Sequence, residues 1–210
     1  MSNSHKILLM GPQGSGKGTQ AERLSQKFSI PFFGSGQLIR EEVASGSALG
    51  EKLNQIILRG ELISDVDAAF FLKRRLEKPD TQNGYILDGY PRNLSQYAAF
   101  DFDTPTHVVV IEIPREESLK RLGGRLTCQV CNKVGSVSDG IKPGDICACG
   151  GQWYQRDDDT PEAIARRLDI YEKDTAPVIA QYEKKGIVRR VDGQGNVNEV
   201  FERIVSSLSS

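Results

Sequence analysis

LLMGPQGSGKGTQAERL (residues 8–24) decides how the rest of the chain is read. Four apolar residues, Ile7 to Met10, run into a glycine-rich loop, and an amphipathic pattern from Lys17 to Phe28 follows it. That order is buried strand, loop, helix. Gly11, Gly16 and Lys17 have the spacing of a phosphate-binding loop, with Gly14, Ser15 and Gly16 supplying backbone N–H groups at the positive end of a helix. Lys17 adds a mobile charge for the outer phosphates. Position 18 is the odd one. Loops of this kind normally carry a magnesium-binding Ser or Thr there, whereas this chain has Gly18, with a hydroxyl one residue later at Thr19. Any metal is then expected to be held indirectly, through water and a carboxylate.

Working outward, YILDGYP from Tyr85 and HVVVIEIP from His107 read as further apolar strands, and GIVRRVDG as a fourth. Helical patterns follow at 93–100 and 115–125, and Val197–Leu208 closes the chain. Thr160 and Pro161 supply an N-cap and first-turn proline for a helix running toward Lys185. Residues 35–78 read as helical segments broken at ASGSALG and RGELISD. Continuously apolar strands alternating with helices predict an α/β fold with a parallel sheet covered on both faces. Residues 126–158, rich in Gly, Cys and Asp and without helical period, predict a small inserted domain.

The chain has 210 residues, 27 Lys plus Arg against 28 Asp plus Glu, and a net charge of −1. Such a balance gives no bulk field for nucleic acid or membrane, so an anion site must be built locally. The N-terminal apolar run is too short for a signal peptide or a span, and a cytoplasmic, monomeric protein is expected. Reduced cysteines in that compartment favour a metal site over disulfides. Cys128 and Cys131 form C-x-x-C; Cys147 and Cys149 form C-x-C. Two close pairs about fifteen residues apart resemble a zinc ribbon.

GPQGSGKGTQA together with DGYPR (residues 88–92) resembles the nucleoside monophosphate kinase family, adenylate kinases above all, and among them the bacterial type with a zinc-bearing lid. That family carries GKGT where other phosphate loops carry GK[ST], which accounts for Gly18. The resemblance spans essentially the whole chain. It implies a P-loop core (1–34, 65–125 and 159–210), a helical AMP-binding insertion (35–64) and an ATP lid with structural zinc (126–158). It implies reversible, magnesium-dependent transfer of a phosphoryl group from ATP to AMP, giving ADP. Lys17, Arg92, Arg125, Arg156, Arg167, Asp158 and Asp159 would then be catalytic. ATP would meet Gly14 to Thr19, Arg121, Arg125 and Gly195. AMP would meet Ser35, Gly36, Arg40, Glu61, Leu62, Ile63, Gly89, Tyr90, Arg92, Gln96, Arg156 and Arg167. Asp88 would anchor magnesium through water.

Residue chemistry agrees with phosphoryl transfer, which needs positioning and charge neutralisation more than a nucleophile. Arginines recur at marked places, and their planar fork grips phosphate oxygens in pairs. Arg121 and Arg125 are four apart, so one helix would put them on one face. Gln96 both donates and accepts, matching the N1 and 6-amino edge of adenine. Ser35 and Gln37 depart from the family's usual Thr and Asp, Asp157 makes the acidic run three long, and Gly135 stands where lids often carry an aromatic. His5 and His107 lie outside any catalytic pattern. A kinase acting on UMP or CMP is one alternative. A non-catalytic nucleotide-binding zinc-ribbon protein is another, opposed by the few aromatics and mixed charge around the ribbon.

Overall fold

The computed structural model describes residues 5–58, 64–156 and 159–209, and only the backbone of residues 35, 36, 40 and 56–58. Five parallel strands form the central sheet, in the spatial order β2 (Phe32–Gly34), β3 (Gly84–Asp88), β1 (His5–Met10), β4 (His107–Glu112), β8 (Val188–Asp192). β1 is central, with Ile7 beside Ile86 of β3 and His107 of β4. The period of two along each strand divides the core. Leu8, Met10, Leu87, Val108 and Val110 face α8 (Ala176–Glu183), where Val178, Ile179 and Tyr182 are buried. Ile7, Leu9, Ile86, Val109 and Ile111 face α1 (Lys17–Phe28) and α9 (Val197–Leu208). A strand buried on both faces must be apolar throughout, which is how β1 and β4 read.

The expected four-strand sheet gains a fifth member. β2 is three residues long, too short for periodicity to reveal, yet its pairing with Ile86–Asp88 sets where α2 (Ser35–Ala44) begins. α3 (Ala48–Leu58) and α4 (Asp65–Leu76) follow, the latter capped by the Ser64 hydroxyl accepting from the Asp67 N–H. α5 (Leu94–Ala99) is capped by Asn93 and α7 (Pro161–Ile170) by Thr160. The predicted long helix from Pro161 is not one regular helix. Tyr171–Thr175 winds into a π turn before α8. Pro177 explains the wider turn, because its ring would press on the Lys173 carbonyl in a regular helix.

α6 (Arg115–Gly123) ends at the Gly123-Gly124 pair, and the chain then enters β5 (Arg125–Cys128). β5 pairs antiparallel with β6 (Val134–Ser136) on one side and β7 (Trp153–Tyr154) on the other. Leu126, Cys128, Cys147 and Trp153 bury one another, with Ile141 packed against them. A Cβ at Gly135 would come 2.8 Å from Ile141 Cδ1 and 3.1 Å from the Trp153 ring, so that position has no room for a side chain. No helix among the described residues is long and apolar enough to cross a membrane.

Candidate active site

Every strand of a parallel sheet ends on the same edge, and ligands of such sheets bind there. The phosphate loop leaves β1 at that edge. A Cβ at Gly11 would stand 2.3 Å from the Ile111 carbonyl oxygen, and Gly11 has φ +138°, so only glycine lets the loop lie against β4. Gly14 faces Ser118 and Leu122 of α6, where a Cβ would stand 3.2 Å from each. α1 starts behind Gly16 with no side-chain cap, and none of its first-turn residues is acidic. Its first N–H groups are therefore left for an anion. Gly18 has open space at its Cβ position and Thr19 is exposed, while Ser15 is buried.

Lys17 folds back over this loop. Its Nζ donates to the carbonyls of Gly11 and Pro12, both at 2.8 Å. Burial pulls its pKa down, opposed by the Asp88 charge and reinforced by Arg92 and Arg125. Asp88 ends β3, next door to β1. Burial pushes its carboxyl up, while Lys17 and Arg92 draw it back. These four charged groups thus converge electrostatically at the sheet edge. Asp88 is a hard, half-buried oxygen donor among cations, which suits magnesium held through water.

After Asp88 the chain turns at Gly89, φ +75°, and Arg92 curls back so that its Nε donates to the Gly89 carbonyl at 2.7 Å. A Cβ on Gly89 would meet Arg92 Nη2 at 2.7 Å. The Arg92 carbonyl accepts from Thr175 Oγ1 at 2.8 Å, tying the turn to the π segment. Tyr90 is buried, and its hydroxyl reaches the Gln96 carbonyl oxygen at 3.2 Å. Gln96 stands on α5 with its amide bonded at both ends, to the Arg92 N–H and to Asp65.

Arg121 and Arg125 do not share a helix face. The glycine pair ends α6 between them, and each has a different task. Arg121 pairs with Glu117 at 2.7 Å and donates to the carbonyls of Gly14 at 3.4 Å and Gly193 at 3.1 Å. It braces the phosphate loop against the segment that precedes α9. Gly195 lies on that segment at φ +100°, where a Cβ would stand 2.2 Å from Glu199 Oε2. Arg125, from the start of β5, forks onto Asp159 at 2.6 and 2.8 Å. Arg167 of α7 reaches the same carboxylate at 2.8 Å. Asp159 is 3 % exposed. Arg156 is exposed at the end of the small sheet, and its carbonyl accepts from the Asp159 N–H at 3.0 Å. Glu61, Leu62, Ile63, Asp157 and Asp158 lie outside the described residues, and only the backbone is described for Ser35, Gly36 and Arg40. The backbone of those last three lies on α2, directly after β2. Gln37 bonds Glu41 along that helix at 2.8 Å.

The four cysteine sulphurs lie within 4.8 Å of one another. Cys128 to Cys149 is 3.4 Å and Cys131 to Cys147 is 3.8 Å. A tetrahedron with Zn–S bonds of about 2.3 Å has edges of about 3.8 Å, so the cluster fits zinc. The backbone N–H of Cys131 draws the Cys128 thiol below the ordinary range. The contracted C-x-C knuckle closes because Gly150 turns at φ +87° and Gly151 lies flat beneath Cys128, where a Cβ would be 2.7 Å from the sulphur.

Sequence reasoning missed Asp65, Asn93, Glu117, Gly193 and Thr175 as parts of this site. The contacts of Asp65, Gly193 and Thr175 cross between elements, whereas Glu117, four residues before Arg121 on α6, and Asn93, the N-cap of α5, are local partners.

Comparison with known proteins accords with this geometry. The adenylate kinase family model matches residues 9–187. An adenylate kinase of Syntrophobacter fumaroxidans is 42 % identical over 210 residues, covering 96 % of this chain and 99 % of that protein. Adenylate kinases of Methanothrix thermoacetophila and Xylella fastidiosa are each 39 % identical, covering 97 % of this chain and 98 % of theirs. A phosphate loop, an arginine-lined sheet edge and full-length similarity agree: the chain belongs to the adenylate kinase family.

Proposed function

We propose that the site carries out ATP + AMP = 2 ADP, with this chain's residues dividing the work as follows. The chain is a phosphotransferase with adenylate kinase activity. The AMP phosphate is the nucleophile, so no side chain need attack. The uncapped N-terminus of α1, with Gly14 to Thr19, receives the ATP phosphates, and Lys17 swings from its loop carbonyls to the outer ones. Arg92, Arg125, Arg156 and Arg167 neutralise charge that spreads over the transferred group. Arg40, Arg92 and Arg167 hold the AMP phosphate, and Gln96 reads the base. Arg121 supports the donor side by bracing Gly14.

Asp88 would hold magnesium through water, and the ion would supply charge compensation for the ATP phosphates. The four cysteines would hold one structural zinc in the 126–158 lid. Residues 35–64 and 126–158 act as covers over acceptor and donor, excluding the water that would otherwise take the phosphoryl group.

The observation that carries this reading is the convergence of Lys17, Asp88, Arg92 and Arg125 at the C-terminal sheet edge above the uncapped α1. ADP formation from ATP with AMP, UMP, CMP or GMP is the test. AMP should be the best acceptor; faster turnover of UMP or CMP would overturn the acceptor assignment.

A further inference from the structure

Gln96 is the third residue of α5, and its backbone N–H is capped by Asn93 Oδ1 at 2.7 Å. Its side chain is held from two sides. Oε1 accepts from the Arg92 backbone N–H at 2.7 Å, and Nε2 donates to Asp65 Oδ1 at 2.8 Å. Asn93 Nδ2 steadies the same carboxylate, 3.3 Å from Oδ2 and 3.4 Å from Oδ1. Asp65 is the first residue of α4, a different helix, so this contact joins two helix starts.

The chemistry of those neighbours fixes which end of the amide is which. A backbone N–H only donates and an ionised carboxylate only accepts. Turning the amide over would set its oxygen against the carboxylate and its NH2 against the Arg92 N–H. Both contacts would become repulsive. After the two bonds are made, the amide retains one N–H and one oxygen lone pair in a fixed order.

We propose that Asp65, by locking the Gln96 amide, is a positioning residue that sets acceptor-base specificity. The locked amide serves a base that presents a ring-nitrogen acceptor beside an exocyclic amino donor. A 6-oxopurine presents a ring N–H beside a carbonyl, the reverse order. A free glutamine would turn over and serve either edge equally. The locked one meets the 6-oxopurine donor to donor and acceptor to acceptor, and escape requires breaking a charge-assisted hydrogen bond, the stronger kind. Cytosine has the same order as adenine, so the lock sorts bases by edge and not by ring size. The inference rests on reading Gln96 as the base reader.

IMP is the informative probe, because it matches AMP in size and differs at that edge. The experiment measures kcat/KM for AMP and for IMP at saturating ATP, in wild type, Asp65→Asn, Gln96→Leu and the double variant. Asparagine preserves size but can turn its NH2 toward a reversed Gln96. Asp65→Asn should raise the IMP-to-AMP ratio by about tenfold, with KM for ATP and the melting temperature little changed. Gln96→Leu should flatten the ratio, and Asp65→Asn should add nothing in that background. If Gln96→Leu keeps the wild-type ratio, the base-reading role itself fails. If Gln96→Leu flattens the ratio while Asp65→Asn leaves it at the wild-type value, or acts equally in both backgrounds, the lock is overturned and the base reader stands. Should Asp65→Asn not fold, NMR of the wild-type protein decides. One Gln96 side-chain amide proton should be shifted downfield by the Asp65 bond, and its absence overturns the proposal.

Discussion

Arg125 and Asp159 face each other as a two-point fork, Nη2 to Oδ1 at 2.6 Å and Nε to Oδ2 at 2.8 Å. They stand at the two ends of the 126–158 excursion, so this pair closes the base of the small antiparallel sheet. Arg167 shares the carboxylate at 2.8 Å, and the Asp159 side chain has no solvent exposure. One buried anion thus holds two cations and offsets their mutual repulsion. Neither arginine is fully buried, at 19 % and 24 % exposed, so each keeps a solvent-facing side, as the phosphate contacts we propose require.

Asp159→Ala should therefore damage stability and turnover together. Breaking a buried pair from one side costs about 3 kcal/mol, because the remaining charges lose their partner. The two arginines should also drift from their shared position, lowering kcat. Urea denaturation and steady-state kinetics check this. Stability within about 0.5 kcal/mol of wild type would show that the fork carries little of the fold.

Lys17→Ala and Arg92→Ala should part company with Asp159→Ala by sparing the fold. Lys17 serves two loop carbonyls, bonds offset by the burial of its ammonium, but in the proposed reaction its charge is needed as the phosphoryl group moves. Turnover should fall by about a hundredfold or more. Arg92→Ala should lower kcat more than nucleotide affinity. It should also leave the preference for AMP over IMP intact, because the backbone N–H that holds Gln96 remains. A pure loss of AMP affinity with unchanged kcat would confine Arg92 to holding substrate.

Asp88 makes a prediction in pH. Its carboxyl is raised above the ordinary 3.8, chiefly by burial. Between that value and its folded pKa the native state binds the extra proton, so this group's contribution to stability falls as pH rises through the window. Asp88→Asn removes that fall. Denaturant titrations from about pH 4 to about pH 7 should show the variant gaining stability relative to wild type as pH rises, while kcat drops about a hundredfold. Parallel stability curves would show that burial of Asp88 has no folding cost.

How much of this was legible before the coordinates depended on whether the signal was local. The helix Val197–Leu208 is readable because Asn196 and Glu199 form a reciprocal cap at its start. Lys17–Phe28 is readable because the glycine loop marks its beginning. β2 is not, since three residues cannot display a period and its strand character comes from pairing with β3. Arg125 was placed on a helix by its spacing from Arg121, but the Gly123-Gly124 pair between them is the stronger signal, and it ends the helix. Gln96 was visible as an amide near a strand end. Asp65 was not, because its bond to Gln96 joins α4 to α5 across 31 positions.

The cysteine cluster yields the last prediction, which turns on a knuckle one residue shorter than C-x-x-C. The short turn still brings Cys149 to 3.4 Å from Cys128, helped by Gly150 and the side-chain-free Gly151. Four thiolates fill a tetrahedral shell and leave no position for water or substrate, so the zinc we propose is structural. The buried hydrophobic side chains of the small sheet among its described residues are Leu126, Cys128, Cys147 and Trp153, with Ile141 beside them, too little apolar surface to hold a shape by itself. Metal affinity therefore becomes local folding energy. Purified without chelator, the protein should contain one zinc per chain. Cys131→Ser or chelation should lower the melting temperature by roughly 5 °C or more, at 2–4 °C per kcal/mol for a chain of this size. Phosphoryl transfer should survive in larger part well below that temperature, because Lys17, Arg92 and Asp88 lie outside the metal shell. Gly151→Ala should mimic the loss with all four thiols intact, since the added methyl would crowd the Cys128 sulphur. Elemental analysis beside thermal melts is the check, and less than about a tenth of an equivalent of any metal, with melting indifferent to chelator, would mean that the short knuckle does not bind.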